Sequence, residues 1–440
     1  MKKATTINEF ANNLLRENLE IEKDANVYVP IYKDKLEALQ DVILNDQVES
    51  QTFFVAGQSG TGKTTALNFL KTKQLEDHFF VKYINMRDFL DERDVDIIDF
   101  LLTFAFALVK DTELEEDYYE KLVEIQRKHE GELEEINEKE VEKKAGAGTE
   151  VAASAGGGLF NLFNLKARFF AEYKVDTSYR KTTREIFKLK KPHLRDLINE
   201  LIDKYRESVT RGKKLLAIVD DLDKLKEIQQ INSIFLEHRN FIFDLKCKKI
   251  FSIPTYLTTS PEIDNYSRHQ IPQFVLNLKA NPIAKKINKR REKEQIEENK
   301  KMLTKVIRCR IAEGIKLIDD DALQEAVEFS GGIIRQLIRI VYNAAIKVRR
   351  LQGPKITKED VEDGIETVRN TIARTIISSN KIKMLNTILT KNIPVSETSE
   401  EFIEVLHANN VLAYTNGTVW YEVNPIIKET VEIYAERHGE

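Results

Sequence analysis

Apolar positions first recur at helical spacing over residues 7–45, interrupted at Tyr28-Val-Pro-Ile-Tyr32. The pattern then shifts to short continuous apolar runs at Gln51–Ala56, Phe79–Ile84, Lys213–Val219, Lys249–Ile253 and Gln273–Leu278. Their length and their β-branched and aromatic content predict five buried strands. Helical patterns separate them, which predicts βαβ units and a covered, mostly parallel sheet. Residues 85–212, between the second and third runs, are far more than a crossover helix needs. Within them, Val95–Val109 predicts a buried helix, and residues 113–144, dense in Glu and Lys, read as a solvated helix or hairpin. A Gly/Ala-rich stretch at 145–165 follows and ends on Leu159, Phe160, Leu162, Phe163 and Leu165. That apolar end reads first as a loop tucked against its own domain, second as a partner-docking or oligomer-facing element, third as a shallow membrane contact.

From about residue 280 the pattern is purely helical. Residues 284–312 are rich in Lys and Arg, and two well-patterned helices over 321–352 flank Gly331-Gly332. The last segment predicts a helix at about 398–408 and a β-hairpin over Asn410–Val423, turning at Asn416-Gly417. The chain thus divides into a helical lead-in (1–45), a core (46–279, insertion about 110–192), a helical lid (280–370) and a terminal module (371–440). The expected fold class is α/β, a five-stranded parallel αβα core with a long helical insertion, an all-α lid and a small winged-helix-like module.

Composition narrows the function. A chain of 440 residues exceeds one hydrophobic core. With 68 Lys and Arg against 72 Asp and Glu, the net charge is -4, which excludes a globally basic, histone-like protein. Cys247 and Cys309 are too few for a disulfide framework and point to a reducing compartment. The first residues read as an amphipathic helix and not as a signal peptide. No run approaches the roughly 18 apolar residues of a membrane span. A cytoplasmic protein is expected. Seven scattered histidines and two isolated cysteines offer no zinc spacing. No Ser or Cys sits in a nucleophile-elbow context.

The defined chemistry is phosphoryl transfer. Gly57-Gln58-Ser59-Gly60-Thr61-Gly62-Lys63-Thr64, followed by Thr65, matches G-x-x-x-x-G-K-[ST] between a predicted strand and a predicted helix. Glycines let successive N–H groups face phosphate oxygens, and the helix adds its positive end. Lys63 is expected to reach the β- and γ-phosphates of ATP, and Thr64 to ligate Mg²⁺. The run Leu215–Val219 ends in Asp220-Asp221-Leu-Asp223, as a Walker B strand should. Asp220 is the metal-side residue and Asp221 the one to polarise the attacking water, while Asp223 reads as a cap of the next helix.

These residues resemble the AAA+/STAND branch of P-loop ATPases over roughly 25–350, the insertion apart. The similarity is to the origin-recognition/helicase-loader type and to bacterial transposition ATPases. The Asp-Asp-Leu-Asp ending also resembles the KAP type, whose insertion lies between the same two elements but contains membrane spans. The resemblance implies further roles. Thr255, with Ser252 nearby, takes the sensor-1 place. Arg335, in Ser330-Gly-Gly-Ile-Ile-Arg335, takes the sensor-2 place and would report the third phosphate from the lid. Arg268 takes the arginine-finger place, acting on a neighbouring subunit. Tyr28, Val29 and Pro30 take the place of adenine contacts or simply pack. Most members carry Glu where this chain has Asp221, which implies slow or partner-dependent hydrolysis.

A winged-helix-like end suggests duplex DNA, but residues 397–440 hold nine acids and two bases. Phosphate contacts need Lys and Arg. Only one of the expected three helices is clear there. Basic clusters at 285–310 and 180–191 read as solvated helix faces, or, if DNA is bound, as the lining of a channel. The expectation is therefore an ATPase (ATP and water to ADP and phosphate). It acts as a switch or assembly machine through homo-oligomerisation or a protein partner, by analogy in bacterial antiviral defence. A DNA-engaged loader or transposition-type regulator is the alternative.

Overall fold

The computed structural model describes every residue except 17–18, 92, 123, 126–176, 211, 226, 265–271, 280–288, 377, 392–398, 417 and 439–440. The five predicted strands are present as β1 (Thr52–Ala56), β2 (Phe79–Asn85), β3 (Lys214–Asp220), β4 (Lys248–Ile253) and β5 (Gln273–Val275). They form one sheet in the order β2-β3-β4-β1-β5. The pairs β2–β3, β3–β4 and β1–β5 are parallel. The last strand is shorter than its apolar run, ending at Val275. The chain divides into two compact units, one of residues 1–45, 54–77 and 252–440, the other of 46–53 and 78–251.

In the second unit, β3 is buried along its length except at Lys214. Every residue of the helix Ile97–Val109 is buried, including Asp99 and Thr103. Asp96 starts this helix in a reciprocal capping box with Asp99, which satisfies backbone donors that would otherwise lack partners. Asp99 also receives Arg184 (Nε to Oδ2, 2.9 Å), and Asp94 receives both Arg184 (2.7 Å) and Arg180 (3.3 Å). The expected solvated basic face at 180–191 is therefore corrected at three of its residues, Arg180, Arg184 and the buried Lys190. Arg180 and Arg184, on the helix Thr177–Phe187, are drawn inward, Arg184 to the buried Asp99 and both to the half-exposed Asp94. Lys249 is wholly buried, and its ammonium donates to the carbonyls of Ser50, Leu245, Phe243 and Cys247.

In the first unit, the 7–45 pattern resolves into the helices Ile7–Leu14, Ile21–Asp24 and Lys33–Asn45. Ile7–Leu14 packs against Ile334–Arg350, and the latter against Lys358–Ala373. Asp320–Phe329 and Ile334–Arg350 flank the Gly331-Gly332 break. The terminal segment holds the helices Ser379–Lys391, Glu400–His407 and Lys428–His438 around the antiparallel pair β6 (Val411–Asn416) and β7 (Thr418–Val423). Two of these three helices went unrecognised in the sequence. Arg268, the 145–165 stretch, Gly417 of the turn and Lys285 and Lys286 lie outside the described residues.

Candidate phosphate and metal sites

The first unit carries the phosphate loop. β1 is buried throughout and delivers the chain into Gly57, and the helix Lys63–Leu70 begins immediately after Gly62. Gly60 and Gly62 adopt φ of +89° and +94°. Left-handed residues alternating with right-handed ones make a concave nest of N–H groups, and glycine reaches that geometry without strain. Lys63 is buried, and its ammonium lies 2.6 Å from the Gly57 carbonyl and 3.1 Å from that of Gln58. Thr64 and Thr65 occupy the first turn of the helix, half-buried. The Thr61 hydroxyl donates to the Gln58 carbonyl (2.9 Å).

Two further elements of this unit meet the loop. Arg335, in the first turn of Ile334–Arg350, brings its guanidinium 3.2 Å from the Ser59 hydroxyl. The Gln58 amide is engaged with the terminal hairpin and the helix before it: its Nε2 donates to the carbonyls of Val411 in β6 (2.7 Å) and Leu406 in Glu400–His407 (3.2 Å), and its Oε1 accepts from the Ala413 N–H (2.9 Å). Gln58 thus spends its side chain on the protein. Tyr28 stacks on Phe69 at 4.9 Å between ring centroids, and Val29 is buried. Thr255, which follows β4, is buried with its hydroxyl oxygen unpartnered among the described residues. Ser252, its rival for the sensor-1 place, is wholly buried within β4.

The second unit carries the carboxylates. Asp220, Asp221 and Asp223 are all buried and can offer oxygens within 4.8 Å of one another. Such a trio suits a hard divalent cation such as Mg²⁺ and repels anions. Asp221 sits at φ +69°, which turns the chain sharply at the strand end. Its own N–H donates to Asp220 (2.8 Å). Burial first, then the charge of Asp220, pushes the Asp221 carboxyl above the ordinary aspartate range, although Lys224 forms an ion pair with it. Asp223 does not cap the next helix as expected. That helix, Ile228–Asn232, has Glu227 at its N-cap, and Asp223 is folded in with the other two acids.

Sequence reasoning missed Tyr83. Asn85 is the register partner of Asp220, so Tyr83, two residues earlier on β2, is the diagonal neighbour on the same face. Its hydroxyl donates to Asp220 Oδ2 at 2.6 Å, and burial with the charge of Asp220 holds the phenol proton in place. Tyr83→Phe removes a bond that orients Asp220, one of two among the described residues. Outer partners of this kind typically contribute 10–100-fold in metal affinity or activity. The expected result is a roughly tenfold rise in the Mg²⁺ concentration needed for half-maximal turnover. An unchanged Mg²⁺ titration would show that Asp220 needs no such orientation.

The model of the KAP family P-loop domain matches residues 32–253, half of the chain. No curated protein matches it. Solved structures similar to it include the Walker-type ATPase PABY2304 of Pyrococcus abyssi, 11% identical with a TM-score of 0.45, covering 91% of this chain and 95% of that one. Cdc6p from Pyrobaculum aerophilum is 12% identical with a TM-score of 0.40, covering 94% and 98%. The ORC1 protein of Aeropyrum pernix, solved in complex with DNA, is 11% identical with a TM-score of 0.40, covering 96% and 97%. Among the described residues, no helix is long and apolar enough to cross a membrane.

Proposed function

Because the chain belongs to the KAP family of P-loop domains, we propose that it binds and hydrolyses ATP and works as a nucleotide-controlled switch, through homo-oligomerisation or a protein partner. The observation that carries the switch is Arg335 resting on the phosphate loop at Ser59, 276 residues away in sequence. A guanidinium in that position is available to a third phosphate, and its helix follows it. In this reading the backbone of Gly57–Thr65 cradles the phosphates and the Lys63 ammonium turns from the Gly57 and Gln58 carbonyls to the phosphate oxygens. Thr64 and Asp220 hold Mg²⁺. Asp221 polarises the attacking water, and Thr255 offers a hydroxyl that is unpartnered among the described residues. Bound Mg²⁺ supplies neutralising charge for the phosphoryl group in flight. Arg268 is assigned the finger role by resemblance alone, and the place in bacterial antiviral defence rests on the same analogy.

The terminal module, read as a winged-helix relative, is assigned to protein contact. It carries little positive charge to meet phosphates. Arg180 and Arg184, two cations that a DNA channel would have used, are committed to Asp94 and Asp99. The deciding experiment is ATP turnover at low salt with and without duplex DNA, using Lys63→Ala as the blank. Turnover absent in the blank and indifferent to DNA is the expected result. Strong DNA stimulation that fades with salt would replace the protein-partner reading with the loader or transposition-type one. Equal rates in wild type and blank would remove the ATPase assignment.

A further inference from the structure

The phosphate loop is held from outside by three separate stretches of the chain. Asn409 Nδ2 donates to the Ser59 carbonyl (2.8 Å), the Arg335 backbone N–H to the Gly60 carbonyl (3.0 Å), and the Tyr32 hydroxyl to the Thr61 carbonyl (2.7 Å). A trans peptide is planar, and its C=O and N–H point in opposite directions. Each carbonyl drawn outward therefore turns the next residue's N–H inward. Those next residues are Gly60, Thr61 and Gly62, the successive donors of the nest. The Thr61 N–H already makes a long 3.3 Å contact across the loop with the Gln58 carbonyl.

Asn409 is itself rigidly placed. It adopts φ +60°, a conformation asparagine tolerates better than most residues. Its carbonyl accepts from Asn424 Nδ2 (2.8 Å), and its side-chain oxygen accepts from Gln58 Nε2 (3.3 Å). Tyr32 is buried, and its hydroxyl has a carbonyl to serve and no solvent to lose it to.

We propose that Tyr32 and Asn409 are positioning residues for phosphate binding: without touching nucleotide, they aim the inward N–H groups of Gly62 and Gly60. The proposal rests on the reading of the loop as a nucleotide site. It makes the terminal module part of the phosphate site, since Asn409 lies between the helix Glu400–His407 and β6.

The test measures binding of ADP, ATP and AMP to the full chain carrying Tyr32→Phe or Asn409→Gly. The glycine keeps the left-handed backbone and deletes the donor, and the phenylalanine removes a single oxygen. Each variant is expected to bind ADP and ATP roughly threefold to thirtyfold more weakly, with AMP affinity nearly unchanged and the melting temperature lowered by about 2–6 °C. In turnover the loss should appear in KM more than in kcat, as for an interaction shared by ground and transition states. Unchanged ADP affinity, or equal loss for ADP and AMP, would overturn the proposal and leave the nucleotide site standing. Wild type binding no better than Lys63→Ala would overturn both. If Asn409→Gly fails to fold, Tyr32→Phe decides alone.

Discussion

Replacing Gly332 with alanine is expected to cost about 3–5 kcal/mol of stability. Gly332 adopts φ +84°, a region that L side chains rarely enter. A Cβ built there would lie 1.8 Å from the Leu278 carbonyl oxygen and 2.8 Å from its carbon. These are backbone atoms, so no side-chain rotation relieves the clash. The left-handed conformation alone costs of order 1–3 kcal/mol, and overpacking adds about as much. Neither the hairpin nor the helix can easily yield. A Cβ on adjacent Gly331 would meet Leu412 at 2.4 Å, and the Gly331 carbonyl accepts the Tyr414 hydroxyl at 2.8 Å. Gly314 is the natural control, because it has φ +77° with nothing within 4 Å. Gly314→Ala should lose only the backbone contribution, and chemical denaturation of both variants measures the difference. Equal losses would mean that the contact with Leu278 is not tight. Gly332 lies three residues before Arg335, so nucleotide affinity is expected to fall with stability in the Gly332 variant alone.

Asp221→Asn should reduce turnover by about 10²–10⁴-fold while leaving nucleotide binding within a few-fold of wild type. The substitution isolates chemistry from geometry. Asparagine accepts φ near +60° as readily as aspartate, so the strand end keeps its turn. The proton-accepting oxygen is lost, and with it the ion pair to Lys224. The same residue predicts the acid side of the pH profile. Its carboxyl is raised by burial and by Asp220, so it takes up a proton at a higher pH than an exposed aspartate does. A reaction that needs the carboxylate therefore fades on acidification sooner than ordinary aspartate chemistry would. Two results would remove Asp221 from the chemistry: an Asn variant that turns over normally, or a wild-type profile that is flat down to the ordinary aspartate range.

The features readable in the sequence were those whose causes are local. The apolar runs of β1, β3 and β4 became buried strands because such strands need no alternation, whereas β2 and β5, also expected to be buried, are largely half-buried. The Asp-Asp-Leu-Asp ending and the insertion between the two motifs pointed to the KAP resemblance, and that is the family to which the chain belongs. The insertion departs from the family's pattern in its lack of a long apolar run. Residues whose roles depend on distant partners were not readable. Tyr83 reaches Asp220 across 137 residues, and nothing in Phe79–Asn85 marks one tyrosine among its neighbours. Arg180 and Arg184 looked like a basic face because their partners, Asp94 and Asp99, lie 86 and 85 residues earlier. Asn409 sits between a predicted helix and a predicted hairpin, where an Asn is ordinarily read as turn chemistry. The helices Ser379–Lys391 and Lys428–His438 had weaker amphipathic patterns than the hairpin between them, and the hairpin drew the reading.

The bond from Asn409 to Ser59 spans 350 residues, which bears on how the protein is made. At a synthesis rate of about 5–20 residues per second, roughly 20–70 s pass between the translation of Ser59 and that of Asn409. During that interval the nascent chain has its Gly-Lys-Thr motif but lacks one of the donors that aim it. Emergence of the terminal hairpin from the ribosome would complete the loop, so on this proposal the aimed loop waits for the chain to be translated past Asn409. Unfinished or C-terminally clipped chains would then be poor competitors for nucleotide and for any assembly that nucleotide licenses.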